Sequence, residues 1–322
     1  MIASSQAIGF VDIISVDLEW GPESMIKMVE PNFFVVGAAK AGTSSLHAWL
    51  KQHPEIFVSD SKEPSYFVYG YGVSNWDDYI GLYQPGAGKK AVGDTSASYL
   101  AAPESPDWIY KTFGKTKIII SLRDPSRRAF SLYSWMLMEG YEKSKTFEET
   151  LALENSRFNN SEFYWHNPGY FWDYIYFRGG LYHEQVKRYI DVFGKDNILI
   201  FLFDDLVKDP DGTFRKVCEF LDVSTEVKII FTRQNASIRP RFVNLQFFLR
   251  TKFTSLVLSG APYVHIERRL KFLAALIDFN KRIGPKPILP METEKKLRQM
   301  YKSDIEKLSD LIEMDLSSWM PL

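Results

Sequence analysis

Short runs of apolar residues alternate with helical patterns along much of the chain. The runs cover residues 33–36, 117–122 and 197–202, and the helical patterns that follow them cover residues 43–51, 125–139 and 210–221. Runs of Ile, Val, Leu and Phe without polar alternation are typical of strands buried on both faces, and their alternation with helices indicates parallel strands. We therefore predict an α/β fold in a single domain, with a central parallel β-sheet flanked by helices.

Two irregular segments and one long helical pattern complete the chain. Residues 141–177 are rich in aromatic side chains, and residues 231–290 contain eleven Lys and Arg against two acidic residues. Apolar side chains recur at helical spacing between residues 292 and 319, which predicts an amphipathic closing helix. No linker or internal repeat divides the chain, so we assign residues 1–30 to an N-terminal extension and residues 31–322 to one domain.

Composition narrows the possible partners. The 322 residues are 45% apolar and 25% charged, with 39 Lys and Arg against 40 Asp and Glu. An apolar content of this size excludes intrinsic disorder. A net charge of -1 argues against nucleic acid or a membrane surface as partner, because a protein that binds either of these anionic surfaces needs a clear excess of positive charge. Any anion site must therefore be local. The oligomeric state is left open.

Location and cysteine chemistry are also constrained. Cys218 has no second cysteine to pair with, and it lies in an apolar helical pattern, so we expect a small core side chain. The first thirty residues carry five acidic residues against Lys27, and no run of 18 apolar residues occurs. We expect a cytoplasmic protein without a membrane span.

The strongest local motif is the segment GAAKAGTSSL at residues 37–46, which follows the first predicted strand. Small residues let the backbone close around a phosphate, while helix N-terminal amides, hydroxyls and a lysine supply donors. Lys40 lies two residues before Gly42, whereas the lysine of a Walker A motif directly follows the second glycine. The pattern predicts a phosphate-binding loop, with a plain strand-to-helix turn and a solvated Lys40 as the alternative.

A second candidate phosphate site follows the predicted strand at residues 117–122. Arg123 comes at the strand end, Pro125 fits the first turn of a helix, and Ser131 lies two turns further along. A guanidinium and a hydroxyl at this spacing can bind one phosphate together. A structural ion pair of Arg123 with Asp124 or another carboxylate is the alternative.

Taken together, the two motifs resemble those of the sulfotransferases that use 3′-phosphoadenosine 5′-phosphosulfate (PAPS), particularly the branch with heparan-sulfate-type and bacterial enzymes. The resemblance implies a P-loop-like fold and a first loop that binds the phosphosulfate of PAPS. It implies that Arg123 and Ser131 bind the 3′-phosphate. The residues implied for the first loop are Lys40, Ala41, Gly42, Thr43, Ser44 and Ser45.

The resemblance extends over residues 31–320. Residues 62–67, KEPSYF, match a segment whose Glu is the family's proposed catalytic base, which implies that role for Glu63. Residues 93–100, GDTSASYL, resemble another family segment, although Asp94 replaces the usual Glu. We expect acceptor contacts from Asp94, Ser98 and Tyr99. By the same resemblance, Lys40 lies beside the bridging oxygen of PAPS and is catalytic.

Two further sets of site residues are assigned more loosely. The aromatic segment 141–177 is either core or the wall of an acceptor pocket, and in the second case Trp165 and Tyr170 contact the acceptor. The family's late nucleotide-binding loop, with its Arg-Lys-Gly, is missing. Arg239 or Arg241 stands in a comparable place, and we expect one of them to supply the positive charge for PAPS.

No metal is expected at this site. The five histidines show neither metal-ligand spacing nor pairing, and Lys40 and Arg123 can supply the cationic stabilisation. His47 is a reserve candidate for a catalytic group, because it closely follows the phosphate loop.

These observations predict an enzyme that transfers the sulfuryl group of PAPS in line to a hydroxyl or amine of a small molecule, such as a secondary metabolite. A carbohydrate O- or N-sulfotransferase is the alternative within the family. A P-loop kinase and an inactive nucleotide-binding scaffold are the alternatives outside it.

Overall fold

Five parallel strands form the central sheet of the computed structural model, in the order β2-β3-β1-β4-β5. The structure describes residues 28–167, 169–231, 238–253, 266–284 and 287–321. The strands of this sheet are β1 Phe33–Gly37, β2 Ile56–Val58, β3 Ala91–Asp94, β4 Lys117–Leu122 and β5 Ile198–Leu202. The two motifs follow β1 and β4, which are neighbours at the centre of the sheet, so both lie at the same edge.

Helices connect the strands and cover both faces of the sheet. They are α1 Thr43–Leu50, α2 Trp76–Gly81, α3 Ser105–Phe113, α4 Pro125–Glu139, α5 Phe147–Phe158, α6 Ser161–His166, α7 Tyr182–Phe193, α8 Phe203–Lys208, α9 Pro210–Phe220, α10 Val243–Phe248, α11 Ile266–Asn280 and α12 Met291–Ile312. Short 3-10 helices lie at Gln84–Gly86, Phe171–Tyr174, Arg178–Gly180, Lys195–Asn197 and Ser317–Trp319, and a π-helix at Leu249–Phe253.

The period-two geometry of the strands divides the core into two layers. In β1, Phe34 and Val36 pack with α3, α4, α7 and α12 on one face, whereas Phe33 and Val35 pack with α1 and α9 on the other. All five residues of β1 are buried, which a strand covered on both faces requires. The predicted α/β fold with a parallel sheet flanked by helices is confirmed.

Most predicted elements are observed with small shifts at their ends. The pattern at residues 125–139 is α4, while the predicted strand at 197–202 begins one residue later, at Ile198. The short strands β2 and β3 were not predicted, since three or four residues give little periodicity. The predicted closing helix ends early: Glu313 adopts a left-handed backbone with φ 56°, which stops α12 at Ile312.

Single side chains within these elements also test the sequence patterns. Met300 is one of the apolar side chains at helical spacing in the closing helix, yet it is 49% exposed, whereas Leu297 and Tyr301 of the same helix are buried. Cys218 is buried in the layer with α9 and is the small core side chain that was predicted.

A separate two-stranded antiparallel sheet lies in the basic segment. It pairs β6 Ile238–Pro240 with β7 Lys281–Ile283, and β6 packs against α4. Among the residues described, no helix combines the length and the hydropathy that crossing a bilayer requires.

Candidate active site

The loop between β1 and α1 folds tightly around its own backbone. Ser121 donates from its hydroxyl to the carbonyl of Ala41 at 2.6 Å, and the amide of Ala38 donates to the carbonyl of Ser121 at 2.7 Å. Gly42 has φ 91°, and a Cβ at this position would lie 2.7 Å from Cδ2 of Leu206. Glycine is therefore required at Gly42 both by conformation and by space.

Several amides of this loop are free to bind an anion. In the part of the chain that the structure describes, the backbone amides of Lys40, Gly42, Thr43 and Ser44 have no hydrogen-bond acceptor. Unpaired amides at the N-terminus of a helix bind phosphate well, and the helix dipole adds to the attraction. The residues of this loop thus fit the phosphosulfate of PAPS.

Arg123 brings the second motif to the first. Its Nη1 donates to the backbone carbonyl of Lys40 at 3.0 Å, and its guanidinium carbon lies 4.7 Å from the ring centre of Phe203. The neighbouring Asp124 caps α4 by accepting from the amides of Ser126 and Arg127. Within the described residues Arg123 forms no ion pair with Asp124 or another carboxylate, and Asp124 pairs instead with Arg127 and Arg298.

Ser131 lies one turn before Trp135 on α4, so both side chains share one face of the helix. The ammonium of Lys40 lies 5.2 Å from the ring centre of Trp135, a cation–π distance. The same face of α4 therefore borders the loop that follows β1. No described contact joins Ser131 to Lys40 or Arg123, so its role at the 3′-phosphate stays a prediction from the sequence.

Lys40 is held in a partly buried position. Burial lowers the pKa of its ammonium to about 8, although the carboxylates of Glu63 and Asp173 oppose this shift. Lys40 has φ 69°, a left-handed backbone that a lysine adopts only where the surrounding structure holds it. At neutral pH the group is mostly a desolvated cation, which stabilises negative charge strongly.

Glu63 lies across a cleft from the loop. Its carboxylate forms an ion pair with the neighbouring Lys62, and 40% of its side chain is exposed. Its backbone is left-handed, with φ 61°. Glu63 is thus partly solvated and paired with its neighbour, but it also lines the cleft that Ala38 and Ala39 of the loop border.

The cleft itself is lined by polar and aromatic side chains. Its wall contains Ala38, Ala39, Glu63, Tyr71, Ala97, Ser98, Leu100, Ala101, Arg128, Leu132, Tyr170, Trp172, Asp173, Gly179 and Gln185. The rings of Tyr71 and Tyr170 stack with centres 4.7 Å apart, and the hydroxyl of Tyr170 donates to the carbonyl of Ser98 at 2.9 Å.

Asp94 and Tyr99 do not reach this cleft, and their expected role as acceptor contacts is wrong for this structure. Both side chains are buried, with 1% and 0% of their surface exposed. The carboxylate of Asp94 accepts hydrogen bonds from the hydroxyls of Tyr79, Ser96 and Tyr99 at 2.6 to 3.0 Å. Burial raises the pKa of Asp94 to about 6, so the cluster is part of the core beneath β3.

The other predicted acceptor contacts separate into two groups. Ser98 and Tyr170 line the cleft, so the proposal for these two residues stands. Trp165 is 54% exposed and packs edge-on against Tyr69 outside the cleft. The segment 141–177 therefore supplies both core side chains, such as Tyr176, and cleft walls.

The late basic residues remain apart from the two phosphate motifs. The side chain of Arg239 lies outside the described part of the structure. Arg241 is exposed, and its guanidinium carbon lies 5.3 Å from the ring centre of Phe279. No described contact joins Arg241 to Lys40 or Arg123, so its role in PAPS binding stays a prediction from the sequence.

His47 has a structural partner. Its Nδ1 lies 2.7 Å from the hydroxyl of Thr95, and burial lowers the pKa of the ring to about 4. Within the described ranges, no cluster of three His, Cys, Asp or Glu side chains is arranged to hold a metal ion.

Three residues of the cleft and of the surroundings of Lys40 were missed by the sequence analysis. They are Trp135 beneath Lys40, Asp173 beside Glu63, and Arg128, whose guanidinium donates to the carbonyl of Tyr176. The position of Trp135 four residues after Ser131 could have been used, because that spacing defines a helix face. Asp173 has no local signal, since it lies in an irregular segment.

The comparison with known families decides what this arrangement belongs to. Residues 30–239, more than half of the chain, match the family described as the Sulfotransferase domain. The chain is a member of the sulfotransferase family. This membership confirms the resemblance of the two motifs and rules out the kinase alternative.

The sulfotransferase has relatives with known structures and names. A sulfotransferase from Alicyclobacillus acidocaldarius is 29% identical, has a TM-score of 0.67, and is matched over 90% of this chain and 98% of its own. Heparan sulfate glucosamine 3-O-sulfotransferase 5 of Homo sapiens is 26% identical over 204 residues, which are 61% of this chain and 55% of the relative.

A third relative is the bifunctional heparan sulfate N-deacetylase/N-sulfotransferase 4 of Mus musculus. It is 29% identical over 211 residues, which are 60% of this chain and 22% of the relative. The sulfotransferase thus spans between about a fifth and about half of the length of these curated relatives.

Proposed function

We propose that this sulfotransferase transfers the sulfuryl group of PAPS to a hydroxyl or amine and releases adenosine 3′,5′-bisphosphate (PAP). The observation that carries the proposal is the meeting of two motifs distant in sequence: the guanidinium of Arg123 donates to the backbone of Lys40 at the edge of the sheet. Two phosphate-binding elements side by side suit a nucleotide with a 3′-phosphate and a 5′-phosphosulfate.

The chemistry asks mainly for positioning and charge stabilisation. Sulfuryl transfer, like phosphoryl transfer, passes through a loose in-line transition state in which negative charge grows on the leaving phosphate. Lys40 is desolvated and held over Trp135, so its charge is well placed to stabilise the leaving group. Glu63, on the opposite side of the cleft, is the proposed acceptor of the proton from the attacking group.

We propose a small molecule as the acceptor. The cleft beside Lys40 has the stacked rings of Tyr71 and Tyr170 in its wall, and aromatic walls suit a compact apolar or aromatic compound. A cytoplasmic location and an acceptor from secondary metabolism belong to this proposal and rest on the sequence alone. A carbohydrate acceptor is the second candidate, because two relatives are named as heparan sulfate sulfotransferases.

A thermal-shift experiment tests the nucleotide assignment. We expect PAP to stabilise the protein without magnesium, by about 2.7 kcal/mol at a PAP concentration of 100 times its Kd, which raises Tm by several degrees. ATP with magnesium and adenosine 5′-monophosphate are the matched controls. Stabilisation by ATP with magnesium but not by PAP would refute the proposal, and PAP binding without any sulfuryl transfer would favour the inactive scaffold.

A further inference from the structure

A second carboxylate, Asp173, lies in the same cleft as Glu63. It belongs to the 3-10 helix Phe171–Tyr174, whose first and last residues are buried and anchor the segment. The side chain of Asp173 is partly buried and borders the cleft. The wall of the cleft therefore contains two carboxylates, those of Glu63 and Asp173.

The two carboxylates have different partners. Glu63 forms an ion pair with Lys62. Asp173 accepts no hydrogen bond and forms no close ion pair within the described ranges, and its interactions with charged groups act through space. A partly buried carboxylate without a partner destabilises the fold, and such groups are found at sites where function requires them.

Charged and titratable groups surround Asp173 on several elements. They are Glu63 and Tyr71 after β2, Lys40 after β1, Arg128 on α4, and Tyr170, Tyr174 and Tyr176 on its own segment. Burial and the negative charge of Glu63 raise the pKa of Asp173 to about 7, while Lys40 and Arg128 oppose the shift. Asp173 can therefore gain and lose a proton near neutral pH.

We propose that Asp173 and Glu63 act as a pair that shares the proton released by the acceptor, an inference that rests on the proposed sulfuryl transfer. As the acceptor oxygen or nitrogen bonds to sulfur, the bond between sulfur and the 5′-phosphate oxygen breaks, and its electron pair leaves with PAP. The acceptor proton passes to one oxygen of the pair and later to water. Two neighbouring carboxylates can hold one proton between them, because the repulsion between two negative charges disfavours the state in which both are ionised.

A pair explains why a partnered glutamate could still serve as base. The carboxylate of Glu63 is already engaged by the ammonium of Lys62, whereas Asp173 forms no close ion pair within the described ranges and is open to the proton. Asp173 lies close enough to interact electrostatically with both Glu63 and Lys40. A base is most effective when its pKa is near the working pH, which Asp173 satisfies.

Carboxyl NMR tests the pairing without any acceptor. In protein labelled with ¹³C at Asp side-chain carboxyls, the Asp173 resonance, assigned by its loss in Asp173→Asn, should titrate near pH 7. In Glu63→Gln the midpoint should move to lower pH, because the neighbouring negative charge is gone. Asp77→Asn, a substitution at an exposed position outside the cleft, should leave the titration midpoint of Asp173 unchanged. A midpoint near the usual value of about 4, or one unmoved by Glu63→Gln, overturns the pairing.

Turnover tests the catalytic role, measured as PAP released from PAPS with water or 4-nitrophenol as the attacking hydroxyl. Asp173→Asn should lower kcat by about 10²- to 10⁴-fold and remove the fall of kcat below pH 7, with the Kd for PAP unchanged. The double variant with Glu63→Gln should be no slower than the slower single variant, because the pair acts as a unit.

The outcomes separate this inference from the proposed function. Turnover of Asp173→Asn at the wild-type rate overturns the shared role. Failure of the wild-type protein to bind PAP would instead refute the proposed function. The NMR titration is carried out without PAP, so it tests the pairing in either case. The Glu63→Gln variant keeps Asp173, so its titration tests the coupling separately from turnover.

Discussion

At the scale of single residues, the site consists of common charged residues, and the surroundings of each one determine what it can do. Lys40 is partly buried over Trp135, Arg123 is fixed by the backbone of Lys40, and Asp94 is locked among hydroxyls. The sequence singled out Lys40 and Arg123 because glycine spacing and strand ends are local features, and the structure brings the guanidinium of Arg123 to the backbone of Lys40. It misassigned Asp94, because burial of a carboxylate depends on hydroxyls such as that of Tyr79, fifteen residues away.

Arg123→Ala should weaken PAP binding through the 3′-phosphate. Loss of a hydrogen-bonded cation at a phosphate is worth about 1.5–3 kcal/mol, which corresponds to roughly 10- to 100-fold in Kd. Isothermal titration with PAP and with adenosine 5′-monophosphate, which lacks the 3′-phosphate, separates the contributions. Arg127→Ala is the matched control, since Arg127 is 59% exposed on the next turn. Equal loss for both nucleotides would contradict the assignment.

At the scale of elements, α4 carries the second phosphate motif and is held in place at its N-terminus. The carboxylate of Asp124 caps α4 and accepts from the guanidinium of Arg298 on α12 at 2.5 Å. Arg298 also donates to the carbonyls of Ser318 and Met320. The periodicity of α4 predicted its two ends. Its contact with α12 could not be predicted, because Arg298 lies 174 residues from Asp124 and no local pattern connects them.

Arg298→Ala should destabilise the fold by about 3 kcal/mol, because it removes the close buried cation of the Asp124 carboxylate and leaves only Arg127, which is exposed and 3.9 Å away. Chemical unfolding measures the change in the free energy of unfolding. Arg215→Ala removes an exposed ion pair within α9 and should cost less than about 1 kcal/mol. Similar losses for the two variants would show that the buried pair contributes no more than a surface pair.

At the scale of the whole molecule, the free energy of unfolding depends on groups whose pKa changes on folding. His47 joins α1 to the segment after β3 and has its pKa lowered to about 4 by burial. The unfolded chain therefore binds a proton at His47 below pH 6.5, while the folded protein stays neutral there until about pH 4. The contribution is present above pH 6.5 and is lost as the pH falls toward 4.

Acidification from pH 6.5 to 4 should therefore cost about 3 kcal/mol through His47 alone. His47→Gln should show a smaller loss of stability over this range, measured as unfolding midpoints in urea at several pH values. His166→Gln, at an exposed position, should follow the wild-type curve. A wild-type pH dependence in His47→Gln would show that the buried ring does not govern this transition.

The sequence by itself determined the α/β class, the central strands and both phosphate motifs. These features are local: burial on both faces produces continuous apolar runs, and a phosphate loop needs small residues between a strand and a helix. Membership of the sulfotransferase family agrees with that prediction.

Only the tertiary structure decided which polar groups share the cleft. Sheet order β2-β3-β1-β4-β5 places the ends of β1 and β4 together, so Lys40 meets Arg123. The packing of the aromatic segment brings Asp173 to the same cleft as Glu63, 110 residues earlier in the chain, and Phe34 and Phe67 pack against the buried ring of Tyr99. Such contacts depend on how segments that are distant in sequence pack together. Neither local periodicity nor the type of a single residue predicts them.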